Sequence, residues 1–92
     1  MKVENMQNSS GRAIPYQFIV TDGLVTVFQS YDSIICRKEV FSAAAPKIEL
    51  NREKWDYSKT TGKYRNQFLG ETKKETEKKI KDGTYILTDL NK

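Results

Sequence analysis

The stretch Tyr16–Phe28, YQFIVTDGLVTVF, constrains the fold of this chain more than any other. Asp-Gly between runs of β-branched and aromatic residues is a strong short-range hairpin signal, because those residues accept the positive φ of a tight turn. A hairpin turning at Asp22-Gly23 pairs Thr21 with Leu24, Val20 with Val25, Ile19 with Thr26 and Phe18 with Val27. Tyr16, Phe18, Val20, Val25 and Val27 then share one face, and Ile19, Leu24, Thr26 and Phe28 share the other. Both faces are apolar, so both need a cover. The first is read as core. The second, an apolar interface candidate built on Ile19, Leu24 and Phe28, is expected to lie under residues 1–15 or to meet a partner, a homodimer being one outcome.

Further along, SIICRKEV and KIEL read as a third and fourth strand, and TYILTDL as a fifth. FSAAAP joins the third to the fourth, with Pro46 stopping its alanines from continuing as a helix and holding Ala45 extended. Two helices fall between the fourth and fifth strands. Ser58 or Asp56 caps the first, in which Tyr57, Thr61, Tyr64 and Phe68 recur at i, i+4, i+7 and i+11 as an inward stripe. Lys59, Lys63 and Asn66 lie opposite. Gly62 falls on the outer side, where it costs ~1 kcal/mol against alanine without a packing reason. TKKE at 72–75 is a capping box, Gly83 follows as the C-terminal stop, and only Thr76 and Ile80 point inward between them. Glu75–Lys79 and Glu77–Lys81 are spaced as favourable i,i+4 pairs.

The expected fold is therefore α+β: a small antiparallel sheet with two helices on one face, in the order ββββααβ. Residues 1–14 are expected to form an N-terminal arm and residues 15–92 a single domain. The expected core is Tyr16, Phe18, Val20, Val27, Ile48, Leu50, Tyr64, Phe68, Ile80, Ile86 and Leu87, although alternation forbids Ile86 and Leu87 from sharing a face.

The missing residues narrow the chemistry. The chain has no histidine, which removes the commonest general base and metal ligand. Its one cysteine, Cys36, lies in an apolar run and reads as a buried small hydrophobe. TTGK fails as a phosphate loop, because Tyr57 stands where glycine is needed and Tyr64 where Ser or Thr is needed. The aspartates are scattered. No enzyme, cofactor or metal is expected. The N-terminus has no apolar signal region, and no apolar run approaches the ~20 residues of a membrane span. A cytoplasmic location without membrane contact is expected, and a lone cysteine fits a reducing compartment.

Charge is uneven. The chain carries +4, yet residues 59–81 hold eight bases against three acids. Lys74, Lys78 and Lys81 recur at i, i+4 and i+7, opposite Thr76 and Ile80. This stripe is expected to contact an acidic or phosphate-bearing surface, with Lys59, Lys63 and Arg65 next in line. The competing reading is a solvated face that serves solubility alone.

NSSGRAIPYQFIV, FQSYDSII and WDYSKTTGKYRNQFL, followed by KKETEKKIKDGTYILTDLN, resemble a family of small uncharacterised proteins encoded by bacteriophages and related mobile elements. The resemblance covers nearly the whole chain, and its most recognisable part is the aromatic and hydroxyl-rich WDYSxTTxxYxxxFL pattern. AAAP at 43–46 departs from the polar turn expected there. No catalytic or binding residue carries over. The resemblance implies a phage accessory protein of the host bacterial cytoplasm that inhibits a host defence complex, as anti-CRISPR proteins do, with a host protein or ribonucleoprotein as partner. The alternative is a nucleic-acid-binding accessory protein that uses the basic helical face directly.

Overall fold

The computed structural model describes residues 1–41 and 44–91. Five strands come first: β1 (Lys2–Gln7), β2 (Ala13–Asp22), β3 (Val25–Ser30), β4 (Ser33–Phe41) and β5 (Ala44–Asn51). Two helices follow, α1 (Lys59–Leu69) and α2 (Lys73–Lys81), and β6 (Tyr85–Thr88) ends the series. All six strands form one sheet in sequence order. β1 to β5 run antiparallel, while β6 lies parallel to β5, with Leu50 opposite Leu87. A parallel neighbour cannot be reached by a tight turn, and the α1–α2 segment is the crossover that reaches it.

The fold is α+β, as expected, but the sheet is mixed and the order is βββββααβ. The extra strand comes from residues 1–14, which the sequence presents as an arm. β1 pairs with β2, Asn5 donates to the Ile14 carbonyl (3.1 Å), and Met6 and Ile14 belong to the buried core. A polar edge strand of this kind gives no alternation strong enough to read. Part of the FSAAAP connection, at 42–43, lies outside the described residues, and β5 already includes Ala44, Ala45 and Pro46.

The hairpin turns one residue later than the Asp-Gly pair implies. Asp22 faces Val25, so the loop is Gly23-Leu24, with Gly23 at φ 61. Glycine at the first loop position supplies the positive φ of a type II′ turn. The partition of faces survives this shift, because Phe18, Val20, Val25 and Val27 still lie on one side. The choice of core does not survive. Phe28 is 0% exposed and stacks on Phe68 of α1 with ring centroids 5.9 Å apart. Ile19 packs on the same cluster, together with Ile48, Leu87, Tyr64, Leu69 and Ile80. Tyr16 is exposed, and Phe18, Val20 and Val27 are only half-buried and stand outside the cluster. Phe28 is thus covered by α1 and is not free for a partner, while Ile19 is half-buried against the same cluster and borders a shallow cleft beside Phe68. Leu24 is exposed, but only as a turn residue.

A bulge refines the core. Phe28 pairs with Cys36 and Gln29 with Ile34, which leaves Ile35 as the extra residue of β4. Ile35 and Cys36 are consecutive yet both fully buried, which a regular strand does not allow. Burial pushes the Cys36 thiol well above its ordinary value, so it stays protonated and inert. In β6, Tyr85 and Leu87 face the core and Ile86 is exposed. Phe68→Ala is expected to lower the unfolding free energy by about 3 kcal/mol, the low end for such a truncation because Phe68 keeps some exposure. Urea denaturation measures this, and a loss under about 1 kcal/mol would remove Phe68 from the core.

Candidate functional site

α1 starts at Ser58, whose side-chain oxygen accepts from the Thr61 amide at 3.1 Å. Its first turn carries no acidic residue. Thr61 is buried and shares a hydrogen bond with Ser30 of β3 (3.3 Å), which pins the helix start to the sheet. Just upstream, the Asn51 carbonyl accepts from the Lys54 and Trp55 amides (3.3 and 3.0 Å), and this turn delivers Trp55 and Asp56 to the mouth of α1.

Arg65 holds that turn in place. It is 1% exposed, so it is not the surface contact that its charge suggests. Nη1 donates to the Trp55 carbonyl and to Asp56 Oδ1 (3.3 Å), and Nη2 donates to Asn66 Oδ1 (3.0 Å). The guanidinium also lies 5.1 Å from the Trp55 ring centroid. Asp56 is shared, its Oδ2 lying 2.7 Å from Lys73 Nζ at the start of α2. Burial opposes ionisation of Asp56, but the hydrogen bonds from Lys73 and Arg65 outweigh it and hold the carboxyl below its usual range.

Gly62 belongs to this arrangement. It is buried, not on the outer side. A Cβ there would lie 3.6 and 3.7 Å from Arg65 Nη1 and Nη2 and 3.8 Å from Asp56 Oδ1, which are ordinary contacts. Gly62→Ala is therefore expected to fit and to raise stability by about 0.5–1 kcal/mol through helix propensity. Thermal unfolding checks this, and a destabilised variant would mean that the guanidinium needs the space.

α2 has its capping box: Thr72 Oγ1 accepts from the Glu75 amide (3.2 Å), and Glu75 Oε1 accepts from the Thr72 amide (3.1 Å). Glu75 is thus engaged at the cap, and Lys79 pairs instead with Glu71 (2.8 Å). Glu71 also accepts from Tyr85 Oη (2.6 Å) and Thr76 Oγ1 (2.7 Å), which ties α2 to β6. Burial opposes its ionisation, yet these three donors together hold Glu71 below the usual carboxylate range. Burial and the Glu71 carboxylate push Tyr85 up to about 12.

Two clefts flank the Trp55–Asp56 turn. One, of about 680 Å³, is lined by Asp56, Tyr57, Ser58, Lys59, Gly62, Lys63, Arg65, Asn66 and Lys73. The other, of about 640 Å³, is lined by Trp55, Lys74, Glu75, Glu77, Lys78, Ile80 and Lys81. All six bases singled out in the sequence border one cleft or the other. Lys59, Lys63, Lys74, Lys78 and Lys81 are exposed, and among the described residues none of them forms an ion pair. The bases that do pair are Lys2, Arg37, Arg65, Lys73 and Lys79. Sequence reasoning missed Lys73; it gave Asp56 only as an alternative to Ser58 as the cap, and Asn66 only as a residue of the outer face, whereas Ser58 is the cap and both Asp56 and Asn66 accept from Arg65. Trp55 had no periodicity to place it, and Tyr57, which the spacing put in the inward stripe, is exposed on the cleft because it precedes the Ser58 cap and is not part of the helix.

These features define a small α+β domain whose mixed sheet carries two helices, with a basic double cleft where they begin. The chain belongs to DUF8033, a family of unknown function whose model matches residues 1–83. No curated protein and no solved structure matches the chain. Among the described residues, no helix is long and apolar enough to cross a membrane.

Proposed function

We propose that this protein acts by binding, as a non-enzymatic accessory protein whose α1–α2 surface engages an anionic partner. The observation that carries this reading is the set of five exposed lysines without ion-pair partners on the two clefts around the Trp55–Asp56 turn. An unpaired lysine costs little in water and gains most when it meets phosphate or carboxylate. In the setting that the phage resemblance implies, the partner is a host defence protein or ribonucleoprotein in the bacterial cytoplasm, and the effect is inhibition.

Direct nucleic-acid binding is the second reading, and Trp55 is the feature that favours it. An aromatic ring beside Lys74, Lys78 and Lys81 matches the pairing of stacking platform and basic groove that single strands use. Pull-down from nuclease-treated host lysate separates the two. A stoichiometric protein retained after nuclease supports the inhibitor. Titration with single-stranded oligonucleotides tests the alternative through Trp55, the chain's only tryptophan, whose fluorescence is quenched if bases stack on it.

A further inference from the structure

The side of the sheet that turns away from Phe28 has no cover within the described chain. Strand register runs a row across it: Val3 opposite Val20, then Val27, Arg37, Glu49 and Ile86. Phe18 lies in the next row, opposite Gln29, and Val25 sits opposite Glu39 on the other side. Val3 is 59% and Ile86 46% exposed, and neither they nor Phe18, Val20, Val25 and Val27 belong to the core cluster. The apolar patch is Val3, Phe18, Val20, Val25 and Val27, and the Arg37–Glu49 pair separates Ile86 from it; an apolar patch of this kind marks an interface.

We propose that this face joins two copies of the chain, stacked sheet on sheet. Charge is the first argument for a second copy. A two-fold interface brings the same patch against itself, so a patch of one sign would repel. This patch is close to balanced: Arg37 and Lys47 against Asp22, Glu39 and Glu49, with Asp22 at the end of its strand, although the chain as a whole carries +4. Arg37 Nη1 lies 2.9 Å from Glu49 and 3.2 Å from Glu39, so the charged centre is already neutralised before docking. The excess positive charge sits elsewhere, and the basic clefts stay open in the dimer.

Area is the second argument. Six strands about 4.8 Å apart, with most strands about 20 Å or longer, give a face of about 500 Å² in projection. Side-chain relief raises its accessible area toward the roughly 800 Å² per partner of a standard interface. At the rim, Tyr16 and Tyr31 stack with centroids 5.0 Å apart, both exposed and both at positive φ, 63 and 57. Two non-glycine residues held in that region store strain, and exposed tyrosines are favoured interface anchors.

Sedimentation of the full chain over a micromolar concentration series tests the proposal. The expected wild-type species has twice the 10.6 kDa mass of one chain. The Val20→Lys/Val27→Lys variant is expected to raise the dimer dissociation constant by about 100-fold or more, because each copy would bury unpaired charge. Ile86→Lys, at a site already exposed in one chain, weakens the dimer with no demand on folding, and circular dichroism confirms the fold of both variants. Exchange of Lys74, Lys78 and Lys81 leaves dimerisation unchanged. A wild-type chain that stays monomeric throughout overturns the proposal, as does a dimer that survives all the sheet-face changes. A monomer whose sheet face instead captures a different protein also overturns it.

Discussion

Replacing Arg65 by alanine is expected to destabilise the fold by about 3–5 kcal/mol, and lysine is expected to rescue only part of that loss. The guanidinium is fully buried and reaches three acceptors: the Trp55 carbonyl, Asp56 and Asn66. Alanine leaves a cavity beside the Trp55 ring and a partly buried carbonyl without its donor. The Asp56 carboxylate is not stranded, because Lys73 still pairs with it at 2.7 Å. Lysine restores the charge but not the planar fork or the stacking on Trp55. Urea denaturation followed by Trp55 fluorescence gives both numbers. A lysine variant within about 1 kcal/mol of wild type would show that Arg65 supplies charge alone and that the turn is held by other contacts. The surface that Arg65 supports would suffer with the fold, so loss of binding in these variants carries no weight unless the fold is intact.

The way Arg65 escaped sequence reasoning shows what a sequence carries and what it does not. Local signals were legible. The Thr72–Glu75 box, the Ser58 cap, the inward Thr61, Phe68, Thr76 and Ile80, and the burial of Cys36 each rest on residues close in the chain, and the structure has all of them. Choices between equal alternatives were not legible. The β2–β3 hairpin is apolar on both faces, and only the landing of α1 on Phe28 decides which face is core. β1 lacks alternation and gains its place by pairing with β2. Arg65 and Gly62 lie three residues apart in a lysine-rich helix, where helical spacing puts them near the solvent side. Their burial depends on the Trp55–Asp56 turn folding back over them, a contact ten residues away that no periodicity records. The five candidate lysines are exposed as expected, because exposure is the default for lysine, and Arg65 alone of the six bases is not.

Converting Lys74, Lys78 and Lys81 to Glu is expected to abolish partner binding while the protein stays folded. Each exchange removes two units of charge, which takes the chain from +4 to −2. All three side chains are exposed on the Trp55 cleft, so no packing is lost. Some stability is lost through the helix dipole, since Lys78 and Lys81 lie in the last turn of α2, where negative charge is unfavourable by about 0.3–1 kcal/mol per site. The Lys→Gln triple variant removes the attraction without that penalty, and is the control for it. Salt gives a second measurement on the wild type. If the three lysines neutralise three phosphates of a single strand, affinity falls by about 20-fold between roughly 50 and 200 mM salt, and the Gln variant flattens the logarithmic slope by about two. An acidic protein surface weakens too, but along the shallower curve of screened pairs. A folded Glu variant that binds as tightly as wild type, with an unchanged salt slope, would reduce the stripe to a solvated face. The search for the partner would then turn to Lys59 and Lys63 on the neighbouring cleft.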